Sequence, residues 1–482
     1  MSEEDELNNS DERLLQGVLA RIWRYLQDNN NSSITINKAK NYRELQMKLD
    51  LAVREDSVDV EEMLQDIDIY LSESVRTSHP HFMNPLWGGT NLPSFTGEII
   101  TALTNTSMYT FEIAPMATLI ENEMIKTMSK LVGFDAGEGI FTTGGSNGNL
   151  MGMLCARDRK LPDVQNEGIN GKSLVAFISE EAHYSTTMAA NILGIGNKNL
   201  IVISCNEFGE MDTEELEEKI AAEKRAGNTP FCVIATAGTT VKGAVDPLDK
   251  IAEICKREYL WLHIDAAWGG AALLSPKTRQ LLQGIEKGDS ICWDPHKMMG
   301  VHLICSVFLV KSAGTLSKVC SHTDDAHYLL LDSSKEIDLG NKSLQCGRRV
   351  DALKLWLAWR AKGNEGWRKQ IEKYFSIAEY LATKVSENPL LELACKPGMT
   401  NVCIRYTGAR LTPDKQDLVN SKLRVVLLES GEFMVSKSII NNRPILRAVI
   451  ANPKIDENII DNFIETIVNI GNKISNDEYH SR

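Results

Sequence analysis

Seven short apolar segments between residues 139 and 310 constrain the fold more than any other feature of the chain. They read GIFTT, SLVAFIS, NLIVIS, FCVIAT, LWLHID, SICWD and CSVFLV. Helices are predicted between them, at residues 148–158, 185–194, 213–226 and 247–258. This alternation predicts an α/β fold with a mostly parallel seven-stranded sheet and helices on both faces. In such sheets a ligand binds beyond the carboxyl ends of the strands.

The segments outside this region suggest three parts. Residues 1–75 carry two helical patterns of apolar residues, which predict an N-terminal helical segment. Residues 76–345 form the predicted large domain, which ends in a polar stretch without periodicity at 322–342. Residues 346–482 contain TNVCIRY, EFMVSKSII and ILRAVI before a final helical pattern. We therefore expect a small C-terminal α+β domain.

Composition excludes several classes of protein. The formal net charge is −13, and no basic stripe is present that would neutralise nucleic-acid phosphates. The apolar runs are too short to span a bilayer, and the acidic N-terminus resembles neither a signal nor a transit peptide. None of the ten cysteines shows the CxxC spacing typical of zinc sites or redox pairs. We therefore expect reduced thiols, no metal and a cytoplasmic location.

Two features at predicted strand ends are open to more than one interpretation. The stretch TTGGSNGNL contains Gly145 and Ser146 in a glycine-rich turn before a helix, where backbone N–H groups bind a phosphate well. The same stretch is also typical of an ordinary capped turn. His183 shortly follows the strand SLVAFIS, and a single histidine in that position is more often structural than functional.

Two further features add an acid and an amine. Asp265 closes the strand LWLHID, where a carboxylate is unfavourable unless it meets a cation or a hydrogen-bond donor. Lys297 follows the strand SICWD in the segment DPHK. Taken singly, Asp265 is also consistent with a helix cap or a salt bridge, and Lys297 with a surface lysine. Pyridoxal phosphate would use all four features, as Schiff-base lysine, partner of the ring nitrogen, phosphate turn and stacked imidazole.

Longer blocks connect the chain to a known family. They include SHPHFMN, NTSMYTFEIAP, GIFTTGGSNGNL, ATAGTTVKGAVDPL, HIDAAWGG, DPHKMMGV, LQCGRRVDALKLWLAWRAKG and LRAVIANP, which run from about residue 78 to residue 453. In these blocks the chain resembles the group II pyridoxal-phosphate decarboxylases, and within them the animal glutamate and cysteine-sulfinate decarboxylases. The resemblance implies the type I fold of pyridoxal-phosphate-dependent transferases. It also implies an obligate homodimer with active sites at the interface.

The resemblance assigns roles to individual residues. Lys297 would form the Schiff base beside His296, His183 would stack on the cofactor ring, and Asp265 would pair with the ring nitrogen. Cofactor binding would also involve Gly145, Ser146 and Thr239. The family often has asparagine where this chain has Asp294. Since a carboxylate repels a phosphate, we expect no direct contact between Asp294 and the phosphate.

A tyrosine in the polar stretch has a predicted catalytic role. Relatives carry a tyrosine on a loop that closes over the site, often from the neighbouring subunit, and Tyr328 occupies that place here. Its phenol would protonate the substrate carbon after carbon dioxide has left, while the closed loop excludes water. The other interpretation is that Tyr328 merely anchors the loop.

Three residues bear on the substrate. Arg447 matches the family's arginine for a substrate carboxylate, a task that suits a permanently charged bidentate donor. Trp87 and Tyr109 stand where cysteine-sulfinate decarboxylases carry aromatic residues. A bulky Trp87 predicts a short pocket, which favours cysteine sulfinate or aspartate and leaves glutamate possible.

Other functions remain open from the sequence alone. The same cofactor serves decarboxylases of aromatic or diamino substrates, although Arg447 would then lack a partner. Decarboxylation coupled to oxidative deamination is a second alternative, which Tyr328 argues against. A non-catalytic relative is a third, which the presence of Lys297, Asp265 and His183 together argues against.

Overall fold

The computed structural model describes residues 3–31, 33–38, 41–320, 337–408 and 411–480. Its strands are β1 (Phe82–Met83), β2 (Glu138–Thr142), β3 (Leu174–Ser179), β4 (Leu200–Ile203), β5 (Thr229–Thr236), β6 (Trp261–Asp265), β7 (Ser290–Trp293), β8 (Ser306–Val310), β9 (Leu391–Leu393), β10 (Asn401–Tyr406), β11 (Met434–Ile440) and β12 (Arg443–Val449).

The helices carry the remaining regular structure of the described chain. They are α1 (Glu3–Asp28), α2 (Tyr42–Gln46), α3 (Val60–Glu73), α4 (Leu92–Thr104), α5 (Pro115–Val132), α6 (Gly145–Lys160), α7 (Val164–Glu167), α8 (Ser185–Ile192), α9 (Thr213–Arg225), α10 (Leu248–Glu258), α11 (Pro276–Arg279), α12 (Thr315–Cys320), α13 (Asp351–Glu387), α14 (Pro413–Ser430) and α15 (Glu457–His480).

The large sheet confirms the predicted α/β fold. It has seven strands in the order β2-β8-β7-β6-β5-β3-β4, and each coincides with one of the seven apolar segments. Strands β7, β6, β5, β3 and β4 are parallel, whereas β8 pairs antiparallel with both β7 and β2. Because the parallel strands share one direction, the residues that follow β3, β5, β6 and β7 meet at one edge.

Both faces of this sheet are buried, as its continuous apolar strands require. In β3, Val175 and Phe177 pack in one hydrophobic cluster, whereas Ala176 and Ile178 pack in the other. This division follows the two-residue period of a strand, which sends neighbouring side chains to opposite faces. The sheet therefore forms the middle of three layers.

A second, five-stranded sheet has the order β1-β11-β12-β10-β9. Its strand β1 comes from residues 82–83, within the range predicted for the large domain, and pairs in parallel with β11. Helix α13 leads into this unit and is interrupted at Gly363, whose φ of 59° lies in the left-handed region. The same hydrophobic cluster contains Ile264 of the large sheet and Val402 of the small one, so the two sheets share one core.

The N-terminal helices pack on each other. Arg21 Nη2 lies 2.7 Å from Asp68 Oδ2, and Gly17 leaves room for Leu64, since a Cβ at Gly17 would lie 2.6 Å from Leu64 Cδ1. Helices α1 and α3 are thereby joined by both charge and close packing. None of the described helices combines the length and the apolar character needed to cross a membrane.

Candidate active site

A cavity of about 210 Å³ opens at the carboxyl ends of the parallel strands. The strand ends bring together residues that are far apart in sequence, as parallel α/β sheets do. The lining residues are Leu86, Gly145, Ser146, Asn149, His183, Thr236, Gly238, Thr240, Asp265, Ala267, Trp268, Asp294, His296 and Lys297. Seven of the residues singled out from the sequence are among them: Gly145, Ser146, His183, Asp265, Asp294, His296 and Lys297.

Lys297 reaches the cavity because the chain turns immediately after β7. The Lys297 N–H donates to the Asp294 carbonyl oxygen at 2.9 Å, which closes the turn. Lys297 Nζ then lies 3.4 Å from Asp294 Oδ2, and 21% of the Lys297 side chain is exposed. A primary amine at the mouth of a cavity, held by one ion pair, is suitably placed to react with an aldehyde.

His296 faces away from solvent beside this lysine. Its Nδ1 lies 2.7 Å from the Cys305 carbonyl oxygen, which places a proton on Nδ1. Its Nε2 lies 3.7 Å from Asp294 Oδ2. Burial lowers the pKa of His296 despite the nearby Asp294 carboxylate. The neutral ring therefore supports the turn that carries Lys297.

Asp265 is buried and held by two hydrogen bonds. Its Oδ1 accepts from the Ala267 N–H at 3.1 Å, and its Oδ2 accepts from Asn149 Nδ2 at 2.8 Å. The described residues place no cation within ion-pairing distance of the carboxylate. Hydrogen bonds from neutral donors hold such a carboxylate in a fixed orientation. Asp265 is therefore free to hold a proton on a cationic ring nitrogen.

Asn149 connects Asp265 to two histidines. Its Nδ2 also donates to Ser185 Oγ at 2.8 Å, and Ser185 Oγ lies 2.9 Å from His183 Nδ1. Its Oδ1 lies 3.0 Å from His263 Nε2. Burial lowers the pKa of His183 and lowers that of His263 to about 4. Both rings are thus neutral at ordinary pH, with His263 donating from Nε2 and His183 accepting at Nδ1.

The glycine-rich turn leads into α6 without a side-chain cap. Gly144 adopts a φ of 130°, a left-handed value that favours glycine, and it provides no capping hydrogen bond. A Cβ at Gly145 would lie 2.7 Å from Asp294 Oδ2, so glycine is needed for the close approach of the two segments. Backbone N–H groups at the start of α6 are therefore available to an anionic group in the cavity.

The segment AGTT, residues 237–240, lines the cavity through Thr240 and not through the predicted Thr239. Thr240 and Gly238 are lining residues, whereas Thr239 is not. The Thr239 hydroxyl accepts from the Ala244 N–H at 3.1 Å, and its own N–H donates to the Ala244 carbonyl oxygen. Thr239 closes the loop internally, and its neighbour Thr240 faces the cavity.

Arg447 lies behind Thr240. On strand β12, its Nη1 donates to the Thr240 carbonyl oxygen at 2.5 Å and its Nη2 donates to Ser436 Oγ at 3.0 Å. Its Nε is buried without a hydrogen-bond partner, and no carboxylate of the described chain pairs with it. Burial lowers the pKa of Arg447. An arginine in this state has unused capacity to bind an anion.

The predicted aromatic residues lie outside the cavity lining of the single chain. Trp87 is half-buried, with its ring centroid 5.7 Å from that of Phe82, and the adjacent Leu86 lines the cavity instead. Tyr109 packs against Gly340, and its carbonyl oxygen accepts from the Gly340 N–H at 2.9 Å. Tyr328 falls outside the described residues.

Several site residues were not predicted from the sequence. Asn149 lies on α6, where its orientation depends on helix packing that no local pattern specifies. The position of His263 could have been predicted, because it stands two residues before Asp265 and a strand places such residues on one face. The described residues include no group of three or more potential metal ligands.

Comparisons with known proteins agree with this geometry. A model of the pyridoxal-dependent decarboxylase conserved domain matches residues 43–407. Rat cysteine sulfinic acid decarboxylase is 37% identical over 92% of each chain. Mouse acidic amino acid decarboxylase GADL1 is 37% identical over 89% of this chain and 80% of its own. A crystal structure of mouse CSAD superposes with a TM-score of 0.92 at 36% identity, covering 96% of this chain and 99% of that one.

Fold, cavity and similarity together define the class of protein. The chain belongs to the family of pyridoxal-dependent decarboxylases. Pyridoxal phosphate is its cofactor, and the cavity fits that group by the chemistry of its residues. Thr236 and Trp268, which line the cavity, each carry a buried polar atom without a hydrogen-bond partner among the described residues.

Proposed function

We propose that the protein is a carboxy-lyase that removes the α-carboxyl group of a short acidic L-amino acid, releasing carbon dioxide and the amine. Cysteine sulfinate and aspartate are the favoured substrates, and glutamate is a poorer one. The observation that carries the proposal is the buried cation of Arg447, which has no carboxylate partner in the described chain and lies behind the cavity residue Thr240.

The cofactor's chemistry is divided among four groups of the protein. When bound, pyridoxal phosphate supplies an electrophilic aldehyde and an electron-withdrawing ring. Lys297 would bind the aldehyde carbon, and Asp265 would hold a proton at the ring nitrogen. The N–H groups at Gly145 and Ser146 would bind the phosphate, and neutral His183 would stack against the ring. By keeping the ring nitrogen cationic, Asp265 would favour the electron-withdrawing form of the bound group.

Substrate recognition requires an anion-binding group of fixed position. Arg447 fulfils this requirement because two of its nitrogens are already held by Thr240 and Ser436. A distal carboxylate or sulfinate would bind the remaining donors bidentately. An aromatic or diamino substrate would leave this buried charge unpaired, which is unfavourable. The names of the relatives, cysteine sulfinic acid decarboxylase and acidic amino acid decarboxylase, point the same way.

We also propose that the enzyme is a homodimer with its sites at the interface. Apolar side chains are exposed along three helices: Leu92, Ile99, Ile100 and Leu103 on α4, Met116 and Leu119 on α5, and Met188 and Ile192 on α8. Such a surface is typical of a subunit interface. Leu103→Lys should shift the dimer towards monomer in light scattering, whereas Ile439→Lys, at an exposed position of β11 in the small sheet, should not.

The proposed location is the cytoplasm. All ten cysteines are free, and seven of them are buried: Cys155, Cys232, Cys255, Cys292, Cys305, Cys320 and Cys403. Free thiols in this number are typical of a reducing compartment.

The direct test of the reaction is a side-by-side assay of carbon dioxide release. Purified enzyme with added pyridoxal phosphate is given cysteine sulfinate, aspartate, glutamate or an aromatic amino acid. We expect the highest kcat/KM for the shorter acids and an amine product in equal amount to carbon dioxide. Turnover restricted to the aromatic amino acid would contradict the proposal.

A further inference from the structure

Two cysteines that are separated by seven residues in sequence meet beside the small sheet. Cys403 lies on β10 and is fully buried, and its carbonyl oxygen accepts from the Ala394 N–H at 2.9 Å. Cys395, the next residue, is half-buried and packs in the same apolar cluster as Cys403, Ile440 and Ile445. The two thiols therefore lie close together in one cluster, and their ionisations influence each other.

The surroundings distinguish the two sulfur atoms. Contact with the Cys403 thiol and the positive charge of Lys242 lower the pKa of Cys395, against the opposing effect of burial. The same contact and burial raise the pKa of Cys403. Lys242 is fixed in place by an ion pair with Glu181, with 2.8 Å between Nζ and Oε1. Since the thiolate is the nucleophile, Cys395 is the reactive partner, and it is also the more accessible one.

We propose that Cys395 and Cys403 form a reversible redox site that controls binding of the acidic substrate. With hydrogen peroxide as oxidant, the Cys395 thiolate attacks one peroxide oxygen, the O–O bond breaks, and a sulfenic acid forms with release of hydroxide, which a proton converts to water. The Cys403 sulfur then attacks the Cys395 sulfur, a disulfide forms, and the hydroxyl group leaves with the Cys403 proton as water. A dithiol reductant reverses the change.

The pair is connected to the substrate-binding arginine through one loop. Cys403 Sγ donates to the Val241 carbonyl oxygen at 3.5 Å, and a disulfide would remove this donor. Val241 follows Thr240, which lines the cavity and binds Arg447 Nη1 through its carbonyl oxygen. Cys403 and Arg447 are also direct partners across β10 and β12. Oxidation would therefore shift the loop whose Thr240 carbonyl oxygen holds Arg447.

This inference rests on the proposed function only for its effect on substrate binding. The holoenzyme is first reduced and then exposed to hydrogen peroxide, and peptides are mapped by mass spectrometry without reduction. We expect a cross-linked pair containing Cys395 and Cys403, lighter by two hydrogen atoms. Kinetics on the same samples should show a several-fold rise in KM for cysteine sulfinate with a smaller change in kcat, restored by dithiothreitol.

Two variants separate this site from other oxidation. Cys395→Ser should keep the KM of the reduced enzyme and lose the sensitivity to peroxide. Cys346→Ser removes an exposed thiol elsewhere and should leave the sensitivity as it is. Absence of the cross-link, or a cross-link without change in KM, would overturn the inference. If reduced enzyme decarboxylates no acidic substrate, the proposed function fails, and the peptide map still reports on the cysteine pair.

Discussion

Asn149 Nδ2 donates to Asp265 Oδ2 at 2.8 Å, and this bond connects the cofactor's predicted acid partner to a buried polar chain. The chain continues from Asn149 Oδ1 to His263 at 3.0 Å and from His263 Nδ1 to Ser290 Oγ at 2.8 Å. Trp261 Nε1 donates to the same hydroxyl at 2.8 Å. Since Asn149 Oδ1 can only accept, His263 donates to it from Nε2, and the neutral ring accepts at Nδ1 from Ser290. The hydrogen bonds of this buried series therefore each have a fixed donor and a fixed acceptor.

Asn149→Ala should weaken both the fold and cofactor binding. The substitution leaves Asp265 Oδ2 and His263 Nε2 buried with one partner fewer, and each such loss destabilises by about 1–3 kcal/mol. We expect a lower unfolding midpoint for the cofactor-free protein and weaker binding of pyridoxal phosphate, measured by fluorescence titration. Asn458→Ala, at an exposed position of α15, is the control and should change neither quantity. Unchanged cofactor affinity in Asn149→Ala would show that Asp265 does not need its orienting donor.

Lys297→Ala should abolish turnover and the visible absorbance of the bound cofactor. Lys297 is the one lysine among the residues that line the cavity, and a primary amine is the group that forms a Schiff base with an aldehyde. Circular dichroism should remain that of the folded enzyme, because 21% of the side chain is exposed and its ion pair is single. Lys126→Ala, whose side chain is 80% exposed on α5, should keep full activity. Near-normal turnover by Lys297→Ala would contradict the assignment.

Arg447→Lys should reduce kcat/KM for acidic substrates, because an ammonium group cannot reproduce bidentate binding. Loss of one charged hydrogen bond corresponds to about 2 kcal/mol, or roughly thirtyfold. Arg443→Lys is the matched control on the same strand, where the arginine pairs with Asp417 at 2.9 Å. Its kinetics should stay close to those of the unmodified enzyme. Equal losses in both variants would indicate damage to the small sheet and not loss of a substrate contact.

The positions at strand ends were predictable from the sequence for a simple physical reason. Apolar strands of this length bury both faces, and parallel strands end at one edge, so His183, Asp265 and Lys297 had to converge. The residues that were not predicted depend on longer-range packing. Asn149 faces Asp265 because α6 lies across the sheet, and Thr240 lines the cavity because Thr239 is engaged by Ala244.

The proximity of Cys395 and Cys403 was likewise not predicted from the sequence. Cysteine spacing indicated no redox pair, because Cys395 and Cys403 lack the CxxC pattern. Cys395 comes near Cys403 because β9 pairs with β10 and the Ala394 N–H, just beyond β9, donates to the Cys403 carbonyl oxygen. Strand β9 was itself absent from the predicted elements. Because β9 is short and has a weak sequence pattern, the closeness of Cys395 and Cys403 could not be predicted.

The substrate preference can be tested at two adjacent positions. Leu86 lines the cavity, whereas Trp87 packs against Phe82. Leu86→Ala should lengthen the cavity and raise the ratio of kcat/KM for glutamate over cysteine sulfinate by about tenfold, the effect of a methylene-sized contact. Trp87→Ser should change the ratio less. A larger change in Trp87→Ser would show that Trp87 contacts the substrate in the assembled enzyme, as the sequence led us to expect.

Asp294→Asn should tighten cofactor binding. The carboxylate lies beside the glycine-rich turn, since a Cβ at Gly145 would be 2.7 Å from Asp294 Oδ2, and an anionic phosphate bound there would meet a like charge. Lys297 balances that charge at 3.4 Å in the structure, and it gives up this ion pair when it binds the cofactor aldehyde. The amide keeps the size of the side chain and removes the repulsion, which is of the order of 1 kcal/mol.

Titration with pyridoxal phosphate should give a several-fold lower Kd for Asp294→Asn, and the gain in affinity should shrink as salt screens the charges. Asp135→Asn removes a charge from an exposed position and should leave the Kd unchanged. Weaker binding by Asp294→Asn would mean that the carboxylate contributes more by positioning Lys297 than it loses by repelling the phosphate.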